Sequence, residues 1–342
     1  MIGRSDLRPL VGDDLIDLGA SASCPSCGST GLLAFFAARG IPTQSCVLLP
    51  DRSAAVAYPT GDLVLGLCSR CGFITNVCFD PEEVDYGQPT EESQAFSPLF
   101  TEFARQLARD LVERYGLEGR SVLEVGSGKG DFLMLLAELG IGRGIGIDPG
   151  FGRPPVGEVG DGSVVLIRAF YGDEHTKLTG DLVITRHTME HIAPVGDFFR
   201  LLRRSVEATE GAVMFTEVPD TGRVLRELAF WDIYYEHCSY YTPGSLGRAL
   251  REAGFTVTDL GLGFGDQYLL AHAIVGGSAD PLPIEESPDE VGDMVVEFAA
   301  GATQHIEGWR ERLEGAAEGG KRVAIWGGGS KAVAFLTTIG VG

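Results

Sequence analysis

Long apolar runs are what this sequence lacks. No stretch reaches the roughly 18 uninterrupted apolar residues that suggest a membrane span. The first residues, MIGRSDLRPLVGDDLIDLG, also contain no apolar run long enough for a secretory signal. We therefore predict a cytoplasmic protein with no membrane partner.

Basic residues are scarce as well. Lys and Arg number 27 against 48 Asp and Glu, which gives a formal net charge of −21 at pH 7. A field of this sign repels phosphate backbones and argues against nucleic acid as a partner. Any anionic substrate must be held by a local pocket, so we expect a small-molecule substrate. We also expect the protein to be a monomer or a homodimer.

Three segments follow from the order of patterns along the 342 residues. Residues 1–84 are rich in Ser, Pro, Gly and Cys and predict a small β-rich module. Residues 85–275 begin with a helix, predicted from Glu91 to Leu117, and then alternate short apolar strands with helices, which predicts an α/β fold with a parallel sheet covered on both faces. Residues 276–342 predict a linker, a helix and then a strand, a turn and a helix at RVAIWGGGSKAVAFLTTIG, which are the start of a further α/β domain.

A glycine-rich turn in VLEVGSGKGDFL is the strongest signal in the central segment. A strand ends at Glu124, and Gly126, Gly128 and Gly130 allow a tight turn whose backbone amides face a ligand at the next helix N-terminus. A dinucleotide site has G-x-G-x-x-G, whereas this turn has G-x-G-x-G with an acid two positions earlier. The pattern favours S-adenosylmethionine over NAD, and Asp148, at the end of GIGID, is expected to face the ribose hydroxyls.

Other residues of the same segment extend the predicted cofactor site. Phe170 follows the third strand and is predicted to border the adenine, with ordinary core packing as the alternative. His187 opens the group RHTMEHI, which is interpreted as a pocket wall or as packing, because a zinc hydrolase helix needs Glu directly after its first His. The predicted cofactor-binding residues are Glu124, Gly126, Ser127, Gly128, Gly130, Asp148, Pro149, Phe170 and His187.

Two Cys-x-x-Cys pairs, each followed by glycine, predict a metal site in the first segment. Four thiolates in tetrahedral arrangement suit a structural Zn²⁺, and the glycines let backbone amides face sulfur. A redox dithiol and inert buried cysteines are the alternatives. The predicted ligands are Cys24, Cys27, Cys68 and Cys71, while Cys46, Cys78 and Cys238 are interpreted as unligated core thiols.

A third group of reactive side chains lies in WDIYYEHCSYYTPGSL. Tyr234, Glu236 and His237 place a phenol, a carboxylate and an imidazole within four residues, which is enough to hold and orient a general base. The unperturbed pKa of an imidazole lies near neutrality. Packing of an aromatic and His-rich run is the alternative interpretation.

Taken together, the motifs resemble the sugar C-methyltransferase family of antibiotic deoxysugar pathways. The resemblance covers nearly the whole chain through CPSCG with CSRCGF, LEVGSGKGDFL, GIDP, RHTMEHI, YYEHCSYYTPGSL and KRVAIWGGGSKA. It implies an N-terminal zinc domain, a class I (Rossmann-like) methyltransferase core and a C-terminal Rossmann-like domain, of which only the start is expected here.

The resemblance also implies a role for each residue of the third group. His237 is expected to remove a proton from the carbon beside the ketone of a nucleotide-linked ketosugar. Glu236 is expected to orient that imidazole, and Tyr234 to hold the sugar or donate to the developing oxyanion. The segment VDYGQPTEESQAFSPLF leaves Tyr86 as the candidate phenol for the pocket.

Two other functions stay open from the sequence. The first is O- or N-methyl transfer on a natural-product scaffold, in which the same His activates a hydroxyl. The second is a non-catalytic, zinc-bearing scaffold, against which the intact glycine turn and its acids argue.

Overall fold

The computed structural model describes residues 15–87, 96–150, 157–159, 162–276 and 280–340. In chain order the strands are β1 (Ile16–Asp17), β2 (Leu32–Pro42), β3 (Thr60–Cys68), β4 (Ile74–Asn76), β5 (Ser121–Val125), β6 (Arg143–Asp148), β7 (Gly157–Val159), β8 (Gly162–Arg168), β9 (Leu182–Arg186), β10 (Val213–Pro219), β11 (Ser239–Tyr240), β12 (Phe255–Gly263) and β13 (Tyr268–Val275). The α-helices are α1 (Arg52–Val56), α2 (Pro98–Tyr115), α3 (Asp131–Glu138), α4 (Val195–Glu207), α5 (Thr221–Arg226), α6 (Pro243–Glu252), α7 (Pro288–Glu318) and α8 (Ser330–Ile339). In the described part of the chain, no helix combines the length and apolar character needed to cross a bilayer.

The chain forms two units. The cysteine unit comprises Met1–Asp85, Asp220–Ser245 and Glu286–Gly342, and the parallel-sheet unit comprises Tyr86–Pro219 and Leu246–Glu285, as far as these ranges are described. Each unit therefore draws on chain that is not continuous in sequence. The three domains predicted from the sequence, residues 1–84, 85–275 and 276–342, stay a prediction.

An eight-stranded sheet forms the centre of the parallel-sheet unit, in the order β12-β13-β10-β9-β5-β6-β8-β7. Strands β8, β6, β5, β9 and β10 run parallel, whereas β13 is antiparallel to both β10 and β12. Because β5 is central and the order reverses on either side of it, the sheet is doubly wound and Rossmann-like. The predicted α/β, class I core is confirmed.

Both faces of the central strands are buried. Val122 packs in one cluster with α2 and α3, while its neighbour Leu123 is equally buried and, by strand alternation, faces the opposite side. Helix α2 begins at Pro98 after the N-cap Ser97 and ends at Gly116, whose φ is +58°. The predicted helix agrees with α2 from Pro98 onward, and residues 88–95 lie outside the described range.

A five-stranded antiparallel sheet, β1-β2-β3-β4-β11, forms the cysteine unit. Helix α7 packs on β2, where the ring of Phe298 makes edge contacts with Phe35 and Phe36 at centroid distances of 6.1 and 5.6 Å. The helix starts with a capping box between Ser287 and Glu290. The predicted β-rich module is therefore present, with helices from later in the chain added to it.

The strand predicted at RVAIWG is not formed. Residues 321–329 pair with no described strand, and the side chain of Trp326 is fully exposed. A strand needs a neighbour to satisfy its backbone hydrogen bonds, and the described residues offer none here. The helix of the same motif does form, because Phe335 of α8 stacks on Phe230 at a centroid distance of 5.7 Å.

Candidate functional site

The turn between β5 and α3 has the left-handed backbone that its glycines permit. Gly126, Gly128 and Gly130 have φ of +76°, +51° and +83°. A Cβ atom at Gly126 would lie 2.0 Å from Oγ1 of Thr188, so no larger residue fits. At Gly128 a Cβ would meet no atom within 4 Å, which leaves open space beside the turn where a ligand can approach the backbone.

Two buried polar atoms beside this turn lack hydrogen-bond partners among the described residues. They are Oε2 of Glu124 and Oγ of Ser127, from residues that are 2% and 8% exposed. Burial raises the pKa of Glu124 to about 8, although the charge of Arg186 opposes the shift. A buried carboxyl and hydroxyl without partners fit a site that a polar ligand completes.

Asp148 ends β6 opposite the turn. Its two carboxylate oxygens accept from the backbone amides of Gly128 and Gly150 at 2.9 and 2.7 Å. A carboxylate oxygen can accept more than one hydrogen bond, so this side chain is of a type that suits a ligand hydroxyl. The neighbouring Pro149 accepts from Nε of Arg168 through its carbonyl oxygen at 3.2 Å, which fixes the backbone after Asp148.

A network of charged side chains lies at the carboxyl ends of β9 and β10. Nε of Arg186 donates to Oε2 of Glu217 at 2.6 Å, and Nε2 of His187 lies 3.1 Å from Oε1 of the same carboxylate. Nδ1 of His187 is 3.7 Å from Glu190. Burial lowers the pKa of His187, but these two carboxylates outweigh it and raise the pKa to about 9.

Aromatic rings also lie close to His187. Its ring centroid lies 4.6 Å from that of Tyr268 and 6.2 Å from that of Phe100. His187 is thus a cationic donor in a partly apolar wall, and its φ of +50° is unusual for a residue other than glycine. Phe170, by contrast, is 68% exposed and packs in no buried core.

Tyr86 contacts a second histidine of the RHTMEHI segment. Its hydroxyl lies 3.4 Å from Nδ1 of His191, and the two rings meet edge to face at a centroid distance of 5.7 Å. The phenol predicted for the pocket is therefore held against the segment that follows β9.

The four cysteines of the two Cys-x-x-Cys pairs come together in the cysteine unit. Their Sγ atoms all lie within 4.8 Å of one another, with Cys24 to Cys71 at 3.6 Å and Cys27 to Cys68 at 3.7 Å. Four sulfurs placed tetrahedrally at about 2.3 Å from Zn²⁺ would be about 3.8 Å apart. The spacing fits a metal site with four cysteine ligands.

Glycines close both cysteine turns. The amide of Gly28 donates to the carbonyl of Cys24 at 2.9 Å, and that of Gly72 to the carbonyl of Cys68 at 2.8 Å. Both glycines have φ near +70°. Of the other cysteines, Cys238 is buried as expected, whereas Cys46 and Cys78 are half-buried rather than core residues.

The segment containing Tyr234, Glu236 and His237 belongs to the cysteine unit. The ring of Tyr234 lies edge-on to the imidazole of His237 at a centroid distance of 4.8 Å. The backbone amide of Tyr234 donates to the hydroxyl of Tyr240, which in turn donates to the carbonyl of Tyr234. This pair of bonds holds the loop before β11 in one conformation.

Glu236 is anchored from a distant part of the chain. Its Oε1 accepts from the backbone amide of Ser45 at 2.9 Å and also from the Ser45 hydroxyl. Glu236 is 7% exposed, so these bonds offset part of its loss of water. Besides any effect on His237, Glu236 thus ties the candidate base segment to the loop after β2.

Two comparisons with known proteins bear on what these sites do. Residues 100–260 match the family model described as a methyltransferase domain. The chain is also similar to the C-methyltransferase NovU of Streptomyces niveus, with 27% identity over 315 residues that cover 86% of this chain and 73% of the relative. The chain is an S-adenosylmethionine-dependent methyltransferase. The resemblance to C-methyltransferases drawn from the motifs is confirmed.

Solved structures similar to this methyltransferase include two with a TM-score of 0.40. One is an S-adenosylmethionine-dependent methyltransferase from Clostridium acetobutylicum, 10% identical, covering 52% of this chain and 92% of its own. The other is the 1,6-didemethyltoxoflavin-N1-methyltransferase from Burkholderia thailandensis, 17% identical, covering 53% and 82%. The fold assignment rests on the strand order described above.

The predicted site residues of this methyltransferase divide between the two units. All nine predicted cofactor-binding residues, together with Tyr86, belong to the parallel-sheet unit, and Tyr234, Glu236, His237 and the four cysteines belong to the cysteine unit. Sequence reasoning missed Arg186 and Glu217. A charged residue at the end of each of two neighbouring apolar strands was the available signal.

Proposed function

We propose that this methyltransferase transfers a methyl group to a carbon beside a ketone, on a nucleotide-linked ketosugar or a similar natural-product intermediate. The observation that carries the proposal is the half-buried imidazole of His237, set against the ring of Tyr234 in a loop fixed by hydrogen bonds. An imidazole is suited to removing a proton near neutral pH. Similarity to a C-methyltransferase supports carbon as the acceptor atom.

S-adenosylmethionine, when bound, supplies an electrophilic methyl group on a sulfonium. We assign its site to the turn between β5 and α3, and the buried unpartnered atoms of Glu124 and Ser127 support the fit. A ligand cation favours the charged form of Glu124. The carboxylate of Asp148, at the end of β6, is suited to accept hydrogen bonds from the ribose hydroxyls.

Further residues complete the proposed cofactor site. His187, kept cationic by Glu217, can pair with a carboxylate of the ligand. The exposed ring of Phe170 offers an apolar surface for a base. The full set is Glu124, Gly126, Ser127, Gly128, Gly130, Asp148, Pro149, Phe170 and His187.

At the methyl acceptor, His237 takes the proton from the carbon beside the ketone and leaves an enolate on the acceptor. Glu236 holds the backbone next to this base through Ser45. Tyr86 contributes a phenol to the pocket wall, steadied by His191. The resulting carbon nucleophile is what distinguishes this reaction from methyl transfer to oxygen or nitrogen.

Replacing His237 by Gln tests this role. We expect turnover to be abolished while S-adenosylhomocysteine, measured by calorimetry, binds as in wild type. His305→Gln is the matched control, since that imidazole accepts a hydrogen bond from Trp309 on α7. Near-normal turnover of His237→Gln would refute the assignment.

Two measurements separate the alternatives. Exchange of the acceptor C–H for deuterium in D₂O is expected for C-methylation, and methylation without such exchange favours O- or N-transfer. A non-catalytic scaffold would bind no S-adenosylhomocysteine in the micromolar range by calorimetry.

We also propose that the cysteine cluster holds a structural Zn²⁺. The sulfur spacing supports this proposal, and the metal would take all four thiols as thiolates. Elemental analysis should find about one zinc per chain in wild type. Cys68→Ser should lose the metal and Cys78→Ser should keep it, whereas wild-type protein with less than about half an equivalent contradicts the proposal.

A further inference from the structure

The carboxylate of Asp232 lies between two cations. Its Oδ2 accepts from Nη2 of Arg223 at 2.6 Å, and its Oδ1 lies 2.9 Å from Nζ of Lys331. The side chains of Asp232 and Arg223 are 10% and 15% exposed, whereas that of Lys331 is 51% exposed. A carboxylate that takes part in two ion pairs is a hydrogen-bond acceptor for its other neighbours.

The hydroxyl of Tyr234 donates to Oδ1 of Asp232 at 3.1 Å. A phenol has one proton, so a phenol that donates to a carboxylate presents only oxygen lone pairs to any other partner. Burial, reinforced by the charge of Asp232, raises the pKa of Tyr234 well above its ordinary value. The phenol therefore keeps its proton and stays directed at Asp232.

We infer that Tyr234 is a hydrogen-bond acceptor that selects a methyl acceptor bearing a donor hydroxyl, and that Asp232 is the positioning residue that sets this polarity. The inference rests on the proposed function. Tyr234 is assigned to the methyl acceptor because its ring contacts His237, the proposed base. Of the two roles that the resemblance implies for Tyr234, holding the sugar fits this geometry. Donation to the enolate oxygen does not, since the phenol has no second proton.

Arg223 and Lys331 give this arrangement its direction. Both side chains donate to Asp232, so the phenol meets a carboxylate that accepts a hydrogen bond from it. Lys331 lies in the first turn of α8 and Arg223 in α5, so helices from two parts of the chain hold one carboxylate.

The test uses the full chain, S-adenosylmethionine and a nucleoside-diphosphate ketohexose, with analogues in which each sugar hydroxyl in turn is replaced by hydrogen. For one analogue, wild type should lose about 10- to 100-fold in kcat/KM, as expected for a buried acceptor left unpaired. Tyr234→Phe should use that analogue and the parent sugar about equally well. Tyr235→Phe is the matched control, because the partners of its hydroxyl among the described residues are the backbone of Cys78 and of Asp80, and it should discriminate as wild type does.

Asp232→Asn tests whether Asp232 acts through the phenol. It should lose the same discrimination as Tyr234→Phe, and the double variant should be no worse than either single variant in kcat/KM. Discrimination that survives in Tyr234→Phe, or losses that multiply in the double variant, would overturn the inference.

Failure of the proposed function would look different. In that case wild type would methylate none of the ketohexoses, although the bond between Asp232 and Tyr234 could still be tested by urea denaturation. The inference predicts that the midpoint shift of the double variant is smaller than the sum of the two single shifts. Additive shifts would contradict it whatever the acceptor is.

Discussion

Arg186 and Glu217 join the ends of two neighbouring parallel strands, with Nε of Arg186 donating to Oε2 of Glu217 over 2.6 Å. The two side chains are 9% and 0% exposed. The guanidinium also lies over the ring of Phe132, 4.1 Å from its centroid. Since Glu217 also pairs with His187, one buried carboxylate has two partners, Arg186 at the end of β9 and His187 directly after it.

Glu217→Gln should lower the free energy of unfolding by about 3 to 5 kcal/mol, because it leaves the Arg186 charge buried without its partner. Chemical denaturation measures the change. Glu102→Gln is the control, since it breaks an exposed ion pair with Arg109 and should cost less than about 1 kcal/mol. If the two substitutions lowered the free energy of unfolding equally, the buried pair of Glu217 and Arg186 would not stabilise the fold as described.

The pH dependence of stability should report His187. Its folded-state pKa is about 9, because Glu217 and Glu190 outweigh burial, whereas the ordinary value is 6.5. A cation whose pKa is raised by folding contributes stability fully below about pH 6.5, and this contribution is lost as the pH rises through about 9. Denaturation across this window should therefore show a steeper decline in wild type than in His187→Gln. Identical slopes would disprove the charged state assigned to His187.

Local pattern was enough to predict the central sheet, the glycine turn and the paired cysteines. The apolar strands of β5 and β6 and the spacing of Gly126, Gly128 and Gly130 depend on neighbours within a few residues. Contacts across long separations were not predictable. The bond from Ser45 to Glu236 spans 191 residues, and it depends on the loop after β2 meeting a segment from much later in the chain.

Strand pairing also decides whether residues 321–329 form a strand. Residues such as Val323 and Ile325 have the β-branched character of a strand, yet a strand forms only beside another strand. The ion pairs of Asp232 show the same limit, because they join it to Arg223 and Lys331 from separate helices. Sequence alone identified Tyr234 as a functional candidate but could not say whether its phenol donates or accepts.

Binding of S-adenosylhomocysteine should strengthen as the pH rises toward about 8. Burial holds the pKa of Glu124 at about 8, against the opposing charge of Arg186, so the free protein must release a proton when a ligand cation binds there. In Glu124→Gln this rise should vanish, and affinity at pH 8 should fall by about tenfold or more. Calorimetry from about pH 6 to 8 measures both effects. A pH profile shared by the variant and wild type would remove Glu124 from the site.

Gly126→Ala should destabilise the protein and weaken ligand binding by at least about tenfold. The new Cβ would meet Thr188 at 2.0 Å and would also occupy a φ of +76°, so both the turn and its neighbour must move. Gly116→Ala is the matched control, because its φ of +58° carries strain but its Cβ meets no atom within 4 Å. It should cost about 1 to 2 kcal/mol and leave affinity unchanged. Similar affinities for the two variants would argue against a ligand at the turn.

The most direct test of the account is a crystal structure of this chain with S-adenosylhomocysteine. The account predicts the ligand at the turn between β5 and α3, with its ribose hydroxyl oxygens within about 3 Å of the Asp148 carboxylate and its methionine end beside Glu124. A ligand bound elsewhere, or side chains filling the space beside Gly128, would contradict the assignment of this turn as the methyl-donor site.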